Sequence, residues 1–320
     1  MKRHTRRKRS TREKQAQSQK RRRNILIAFM CVVLVCVGYI GTDVFIIRHA
    51  EPVSHMEEAT QKNGNGNSKT GNAKYASLGI PSIALDDSVM LSSVIGEARK
   101  TKLSSVAFEL KRSDGTIGYT SNLTTVETFG AVSMPAKKLH ESVKTLNEKN
   151  ITPIAVICCY KDNTAAGKAA EMTLMNGDKP YKDSKGNTYL NPDSDSAVKY
   201  LKEIVTESYN LGVRVFVLTS VNLPDGIREG HSDGFNKLVN RLNTEIGGDA
   251  VFLEGVSTEL NGWNVEDGEY NDEGLRIEIK KLRKLKSNQI YVIKTEKELS
   301  DIKKALKSKK VSRYIIFEEE

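Results

Sequence analysis

Cysteine is scarce in this chain of 320 residues, which has four, and tryptophan occurs once. Two cysteines, Cys31 and Cys36, lie in a long apolar run. The other two, Cys158 and Cys159, are neighbours in a predicted strand, where adjacent side chains point to opposite faces. This arrangement predicts no disulfide framework. The five histidines are scattered, and no His/Cys cluster has the spacing of a zinc site, so we expect no bound metal.

A net positive charge is absent from most of the chain, although the net charge of the whole is +10. Residues 1–23 hold twelve Lys and Arg and one acid, a net +11, so the remaining residues sum to −1. A near-neutral domain lacks the basic surface of a nucleic-acid-binding protein, which excludes nucleic acid as a partner. The basic segment itself either binds anionic lipid headgroups or only sets membrane topology, and the second reading is the simpler one.

Long apolar runs are absent except for ILIAFMCVVLVCVGYIGTDVFII, which directly follows the basic segment. Its uncharged part, 25–42, is about as long as the shortest membrane-spanning helix, so we predict one transmembrane helix at 24–47. The preceding Lys and Arg predict a cytoplasmic N-terminus and an extracellular C-terminal domain in a single-pass protein of the cell membrane. A cleaved secretory signal is the alternative. The long basic lead and the lack of an Ala-x-Ala site favour an uncleaved signal anchor.

The rest of the chain divides into a linker and one domain. Residues 48–75 are predicted to form a flexible linker. The second half of this segment is rich in Gly, Asn, Lys and Ser, and its apolar residues show no regular spacing. The domain at 76–320 has about the length of one barrel of eight strands and eight helices.

Apolar, β-branched stretches alternate with amphipathic ones along this domain. Strands are predicted at 78–85, 104–110, 151–160, 213–221, 250–256, 289–295 and 312–318. Buried strands separated by helices pair in parallel, which predicts an α/β fold of the (β/α)8 TIM-barrel type or an open doubly wound sheet. A closed barrel of this type needs an eighth strand, so either one is hidden at 115–134 or the barrel is incomplete. No G-x-G-x-x-G or P-loop follows the first strand, and we expect no cofactor.

Helical patterns fill the intervals between these strands. The clearest is SDSAVKYLKEIVTESYNLG, whose apolar residues fall at helical spacing before Gly212. A second is PAKKLHESVKTLNEKN, with Pro135 in an acceptable first-turn position. Further helices are predicted at 233–246, 272–285 and 296–306.

Polar residues cluster at the predicted strand ends, where parallel barrels place their chemistry. They are Glu109, Lys111 and Asp114 after the second strand, Lys161 and Asp162 after the third, Thr219, Ser220, Asn222 and Asp225 after the fourth, Glu254, Glu259 and Trp263 after the fifth, and Lys294 and Glu296 after the sixth. Carboxylates at several strand ends suit glycoside hydrolysis, in which one acid protonates the leaving oxygen and another acts as nucleophile or base. Each carboxylate alone is more typical of a solvated loop or a helix cap than of a catalytic group. Trp263 either stacks on a sugar or plugs a loop against the barrel rim.

Four collinear segments carry a family resemblance: SSVAFELKRSDGTIGYTS, IAVICCYKDN, GNTYLNP and LTSVNLPDG. They resemble a family of bacterial TIM-barrel domains classed as glycoside hydrolases, largely of unknown substrate and distantly similar to the α-amylase-type barrels. The resemblance covers 77–224. The residues that match its motifs are Glu109, Lys111 and Asp114 at an acidic strand end, Tyr160, Lys161 and Asp162 in a Phe-Lys-Asp motif, and Asn191 and Pro192 in an Asn-Pro loop.

The chain departs from this family pattern at two strands. Val156 stands where an Arg is expected, and Thr219 begins a stretch that lacks both the Asp and the Arg of the family's Asp-Tyr-Val-Arg-Phe-Pro motif. In barrel glycosidases of this type, the acid at the end of the fourth strand is the expected nucleophile. Threonine cannot supply a carboxylate, and losing such a group removes most of the rate.

Three hypotheses follow for the domain. The first is a membrane-anchored glycoside hydrolase acting on cell-envelope or extracellular polysaccharide, with Glu254 as the acid and Asp225 or Glu109 in place of the lost Asp. The second is a non-catalytic barrel that binds a glycan or a protein, and the third is an envelope assembly factor that uses the barrel as a docking surface. Fold analogy favours the first, and the changes at Thr219 favour the second. The residues expected to bind substrate are Lys111, Asp114, Lys161, Asp162, Asn222 and Trp263.

Overall fold

The structure, a computed structural model, describes residues 75–224, 227, 234–244, 246, 248–266 and 268–319. The predicted basic segment at 1–23, the predicted membrane helix at 24–47 and all of the predicted linker except Tyr75 lie outside the described residues. Their boundaries therefore stay predictions. In the part of the chain that is described, no helix has both the length and the apolar character needed to cross a membrane.

The described elements alternate as the sequence predicts. The strands are β1 (Ala76–Ile80), β2 (Ser105–Lys111), β3 (Ile117–Tyr119), β4 (Val132–Ala136), β5 (Thr152–Cys158), β6 (Met175–Asn176), β7 (Lys179–Pro180), β8 (Val215–Thr219), β9 (Val251–Glu259), β10 (Trp263–Asn264), β11 (Glu269–Tyr270), β12 (Gln289–Thr295) and β13 (Tyr314–Glu318). The helices are α1 (Ser88–Lys100), α2 (Thr124–Thr128), α3 (Leu139–Glu148), α4 (Asp195–Asn210), α5 (Phe235–Leu242), α6 (Asp272–Lys281) and α7 (Leu299–Ser308).

Seven strands of the described chain close into a parallel barrel in the order β1, β13, β12, β9, β8, β5 and β2, with β2 pairing back to β1. Each corresponds to a predicted strand, so the barrel prediction is confirmed. The expectation of eight barrel strands is wrong, because β13 pairs directly with β1 and no gap is left between them. The first strand ends earlier than predicted: Pro81 has no N–H for a strand ladder, and Ser82–Leu85 form a short 3-10 turn.

Residues 115–134, where one of the two alternatives places an eighth strand, supply two short strands outside the barrel. β3 pairs antiparallel with β2 at Lys111 and Ile117, and β4 runs parallel to β3. Because Lys111 also pairs with β5, β3 occupies the side of β2 from which β1 has already departed. Pro135, predicted for a helix first turn, lies in β4, and α3 begins only at Leu139.

Alternation along each barrel strand separates an interior core from the layer between barrel and helices. The interior contains Ala107, Ile154, Val156, Val215, Val217, Leu253, Ile290, Val292, Ile315 and Phe317. Cys159 belongs to the outer layer, whereas Cys158 shares the parity of the interior residues of β5. Both thiols are free and buried, and the predicted opposite orientation of the two is confirmed.

Candidate active site at the barrel mouth

The interior positions become charged where the barrel opens at the carboxyl ends of its strands. Glu109, Glu259, Lys294 and Glu319 each lie an even number of residues beyond an interior residue of the same strand, so they face the barrel axis. Glu319 lies one residue past β13, and its N–H continues the ladder by donating to the Thr295 carbonyl over 2.7 Å. We name these four residues the mouth cluster.

Lys294 is the centre of the mouth cluster. Its Nζ is 2.6 Å from Oε1 of Glu319, and the strand register sets it directly beside Glu259. Partial burial acts to lower the pKa of Lys294. The hydrogen bond to Glu319 and the charges of Glu109, Glu319 and Glu259 outweigh this burial and raise the pKa. Among the described residues, three carboxylates at the ends of three different strands therefore act on one ammonium group.

Glu259, rather than Glu254, brings the carboxylate of β9 to the mouth. The strand continues past its predicted end at residue 256 and finishes at Glu259. A Cβ placed on Gly255 would lie 2.5 Å from Cγ2 of Thr219 and 3.0 Å from Cγ1 of Val217, so position 255 faces the interior. Glu254 must then face the helix layer, because neighbouring side chains in a strand point to opposite faces.

Glu254 and Asn222 line a groove on the outside of the barrel. Oε2 of Glu254 accepts a hydrogen bond from Nε2 of Gln289 over 2.8 Å, and Nδ2 of Asn222 donates to Oε1 over 3.5 Å. Phe235 and Lys286 belong to the same groove. This placement contradicts the expectation that Glu254 and Asn222 lie at the barrel mouth.

A β-bulge places Glu109 and Lys111 on opposite faces of β2. Glu109 pairs with Val156, which faces the interior, but Lys111 pairs with Ile157, which faces the helix layer. Leu110 is the extra residue, and it turns with Lys111 to the outer face. The alternation of an unbroken strand predicts that Glu109 and Lys111 share a face, and the bulge makes that prediction wrong.

Lys111 and Asp162 form a fully buried ion pair outside the barrel interior. Nζ of Lys111 is 2.9 Å from Oδ2 of Asp162 and donates to the Cys158 carbonyl over 2.9 Å, and both side chains are 0% exposed. Oδ1 of Asp162 accepts the N–H groups of Thr164 and Ala165. Burial acts to lower the pKa of Lys111, but the charge and hydrogen bond of Asp162, together with the influence of Cys158 and Tyr200, outweigh it and raise the pKa. The predicted substrate contact is contradicted, because neither side chain reaches solvent.

Asp114 closes the turn after β2. Its Oδ1 accepts the N–H and the hydroxyl of Thr116 over 2.8 and 2.7 Å. Partial burial acts to raise the pKa of Asp114, but these two bonds outweigh it and lower the pKa. The next residue, Gly115, has φ of +89°, and a Cβ there would lie 2.1 Å from Oδ1 of Asp162. Glycine is required at this position, and Asp114 acts as a turn residue.

The end of β8 carries a hydroxyl where the resemblance described above implies a carboxylate. Thr219 is 7% exposed, faces the interior, and its Oγ1 is 3.5 Å from the Ile157 carbonyl. Ser220 follows with φ of +49°, a left-handed conformation uncommon for a residue with a side chain. Asp225, predicted to replace the lost acid, lies outside the described residues. The described residues at this strand end supply no carboxylate to the mouth.

Two further predicted residues lie on loops. Lys161 follows β5, is half-buried, and forms an antiparallel bridge with Tyr189. Trp263 lies on β10, between β9 and α6, with 43% of its surface exposed. A role in substrate binding stays a prediction for both.

The mouth cluster offers carboxyl groups for proton transfer and for nucleophilic or base chemistry. Within the described residues, no group of three or more His, Cys, Asp and Glu side chains is arranged to hold a metal ion. Sequence reasoning noted Glu109, Glu259 and Lys294 but missed Glu319 and chose Glu254 over Glu259. The alternation of β9, continued through Gly255–Glu259, is the sequence signal that places Glu259 rather than Glu254 at the mouth.

Solved structures with a similar fold include several of bacterial origin. A hypothetical protein from Ruminiclostridium thermocellum is 21% identical, with a TM-score of 0.48, over 55% of this chain and 96% of its own. Trehalose-6-phosphate hydrolase from Bacillus licheniformis is 12% identical, with a TM-score of 0.44, over 71% of this chain and 57% of its own.

An uncharacterized Listeria monocytogenes protein in complex with glucose, magnesium and calcium is 9% identical, with a TM-score of 0.48, over 77% of this chain and 28% of its own. Structural similarity at these sequence identities and TM-scores does not indicate function. A search of curated proteins finds no match.

The family comparison is more specific. Residues 80–265, more than half of the chain, match the family described as "Putative glycosyl hydrolase domain". The match includes β2, β5, β8 and β9, and with them Glu109 and Glu259 of the mouth cluster. It confirms the resemblance found in the four sequence segments. The chain therefore belongs to the glycosyl hydrolase domain family of that description.

Proposed function

We propose that the domain acts on carbohydrate and hydrolyses a glycosidic bond at the barrel mouth. The observation that carries the proposal is the convergence of Glu109, Glu259 and Glu319 on Lys294. Glycoside hydrolysis needs two carboxyl groups that face one bond, one as the acid and the other as nucleophile or base. Membership of the glycosyl hydrolase domain family supports the same reaction class.

Glu109 and Glu259 are the pair that we assign to this chemistry. Glu319 is held by Lys294 at 2.6 Å and is thereby engaged in an ion pair. Glu109 and Glu259 come from β2 and β9, and the charges of both act on Lys294. In this arrangement Lys294 holds positive charge beside Glu259, and Glu319 fixes the position of that charge.

A second candidate function is glycan binding without cleavage. Thr219 favours it, because a threonine stands at the strand end where barrel glycosidases of this type carry the nucleophile. Thr219 is 7% exposed, its Cγ2 methyl faces Gly255, and its hydroxyl cannot replace a carboxylate. Binding needs only the shape and polarity of the mouth, whereas cleavage needs Glu109 and Glu259 to stand in for the missing acid.

One experiment separates the two functions. Purified full-length protein is incubated with cello-, malto- and chito-oligosaccharides and with peptidoglycan fragments, and new reducing ends and calorimetric binding are measured on the same panel. Hydrolysis predicts new reducing ends from at least one substrate. Binding without new reducing ends overturns hydrolysis in favour of the second candidate, and neither signal on any substrate overturns both.

We also propose that the domain is held outside the cell membrane by residues 24–47, where it can reach cell-envelope polysaccharide. The support is the order of basic segment, apolar run and linker in the sequence. Fractionation of cells that produce the full-length chain tests this. The chain is expected in the membrane fraction, with the domain cleaved by protease added to intact protoplasts. Recovery in the soluble fraction, or protection from the protease, overturns it.

A further inference from the structure

An aromatic hairpin follows the strand that carries Glu259. β10 and β11 pair antiparallel, with Trp263 opposite Tyr270, in the connection between β9 and α6. β9 ends at the mouth with Glu259, so the hairpin begins shortly after the mouth cluster in the chain. Connections at this end of a parallel barrel are where substrate-binding groups collect.

The hairpin exposes three large apolar side chains to solvent, and this exposure does not help the hairpin to fold. Trp263 is 43% exposed, Tyr270 60% and Val265 76%. A tryptophan that served only to close the loop would bury its ring against the barrel or a helix. Here the ring of Trp263 contacts that of Tyr270.

The backbone under these rings is firmly anchored. The carboxylate of Glu278 on α6 accepts the N–H groups of Gly262 and Trp263 over 2.8 and 3.1 Å. Asn271 donates its N–H to the Gly262 carbonyl over 2.8 Å. A Cβ on Gly274 would lie 2.0 Å from that carbonyl, so α6 packs directly on the base of the hairpin. The rings are thus exposed on a backbone that is already ordered before any ligand binds, which lowers the entropic cost of binding.

We propose that Trp263 and Tyr270 form a subsite that binds one sugar ring of a single glycan chain leading into the mouth. This inference rests on the proposed carbohydrate function and adds a binding site to it. The C–H face of a pyranose packs on the negative face of an aromatic ring, and the exposed Glu266 carboxylate on the same hairpin can accept bonds from hydroxyls.

The angle between the rings determines the form of the glycan. The ring centroids of Trp263 and Tyr270 are 5.0 Å apart and the planes are inclined by 59°. Coplanar rings would lie flat on a crystalline polysaccharide surface. Inclined rings form a corner that receives one chain and cannot touch a flat surface together. The subsite therefore selects soluble, single chains over crystalline ones.

The subsite can be observed directly, because Trp263 is the only tryptophan in the chain. Full-length protein carrying Glu259→Gln, which prevents turnover, is titrated with cello-, malto- and chito-hexaose while tryptophan emission is recorded. We expect a saturable blue shift with at least one hexasaccharide. Tyr270→Ala should raise Kd by about fivefold to tenfold, the loss of one aromatic contact. Val265→Ala, which removes an exposed apolar side chain from the same hairpin, is the matched control and should leave Kd unchanged.

Calorimetry with Trp263→Phe and Trp263→Ala identifies the aromatic ring as the cause. Phenylalanine should retain most of the affinity and alanine should lose it. Binding that leaves the emission unchanged and survives Trp263→Ala overturns the subsite while the mouth proposal stands. A saturable shift in a protein whose wild-type form releases no reducing ends supports the subsite and overturns hydrolysis. Equal binding to microcrystalline cellulose or chitin overturns the preference for single chains.

Discussion

Two lysine–carboxylate pairs lie near the carboxyl ends of the barrel strands. They join the same chemical groups but differ in burial and in the face of the barrel on which they lie. Lys294 and Glu319 are 2.6 Å apart and about half exposed at the mouth. Lys111 and Asp162 are 2.9 Å apart and completely buried behind the barrel wall. Charges that remain in solvent can meet a ligand. Buried charges that satisfy each other and the backbone can only hold the structure together, so burial decides between a chemical and an architectural role.

A single residue in β2 causes this difference. Without the bulge at Leu110, Lys111 would follow Glu109 into the interior and point at the mouth. With the bulge, β2 contributes Glu109 to the mouth cluster and Lys111 to the helix layer. The same strand end therefore supplies one group to each region.

The largest expected effect is a loss of activity when a carboxylate of the mouth cluster is removed. If the protein is a hydrolase, Glu109→Gln should lower kcat/KM by about 10²–10⁴-fold, the range for loss of a group that transfers protons or attacks the sugar. The free energy of unfolding should change by less than about 0.5 kcal/mol, because the side chain is only half-buried. Initial rates on the best oligosaccharide and urea titration measure the two quantities. Lost stability with retained activity would reverse the assignment of Glu109.

The next effect tests the buried pair. Asp162→Ala leaves the Lys111 ammonium buried without a counter-charge and should lower the free energy of unfolding by about 3–5 kcal/mol. Adding Lys111→Met to this variant removes the stranded charge and should recover part of the loss. Urea unfolding of the two variants provides the comparison. A single variant as stable as the wild type would contradict the architectural role.

An effect of intermediate size on stability is expected at Asp183. This carboxylate is stabilised by hydrogen bonds rather than by a neighbouring positive charge. Desolvation acts to raise its pKa, but bonds from Asn187, Tyr189 and the Lys185 N–H outweigh it and lower the pKa to about 2. A lowered pKa stabilises the fold above the unfolded-state value of about 3.9, and this contribution is lost as pH falls through the folded-state value.

Limited proteolysis of the loop at 181–189 between about pH 5 and pH 2 measures this effect. This range includes both the folded-state and the unfolded-state pKa of Asp183. Cleavage of the wild type should increase as the pH falls. Asp183→Asn should be cleaved more readily at pH 5 and depend less on pH, because the titrating group is gone. Identical pH profiles for the two proteins would remove Asp183 as the cause.

The smallest effect belongs to the exposed pair. Lys294→Met should change the free energy of unfolding by about 0–1 kcal/mol, because an ion pair in contact with water is worth little. Thermal unfolding at low and high salt checks this, and the difference from wild type should shrink as salt screens the pair. A loss comparable to that of Asp162→Ala would erase the distinction between the two pairs.

The barrel could be predicted from the sequence, but the faces of its side chains could not be predicted everywhere. Buried parallel strands are continuous apolar runs, and α4 has a clear helical period, so both can be recognised in the amino-acid sequence. β9 was predicted too short because its last interior positions, Ser257 and Glu259, face solvent at the mouth and interrupt the apolar pattern. α1 was missed although Leu91, Ile95 and Ala98 lie on one face.

The bulge at Leu110 leaves no trace in the residues of β2, because it depends on the register with β5. Short-range patterns therefore predict elements well. They predict the site poorly, since the site depends on which face a strand presents after its pairing is known.

The most direct measurement compares two glutamates of the same strand. Glu259→Gln and Glu254→Gln remove the same charge from positions that face the mouth and the outer groove. If the mouth cluster is the active site, kcat/KM on the best oligosaccharide falls by at least about 100-fold for Glu259→Gln and stays near the wild-type value for Glu254→Gln. Full activity in Glu259→Gln together with its loss in Glu254→Gln would contradict the site and return the chemistry to the outer face of the barrel.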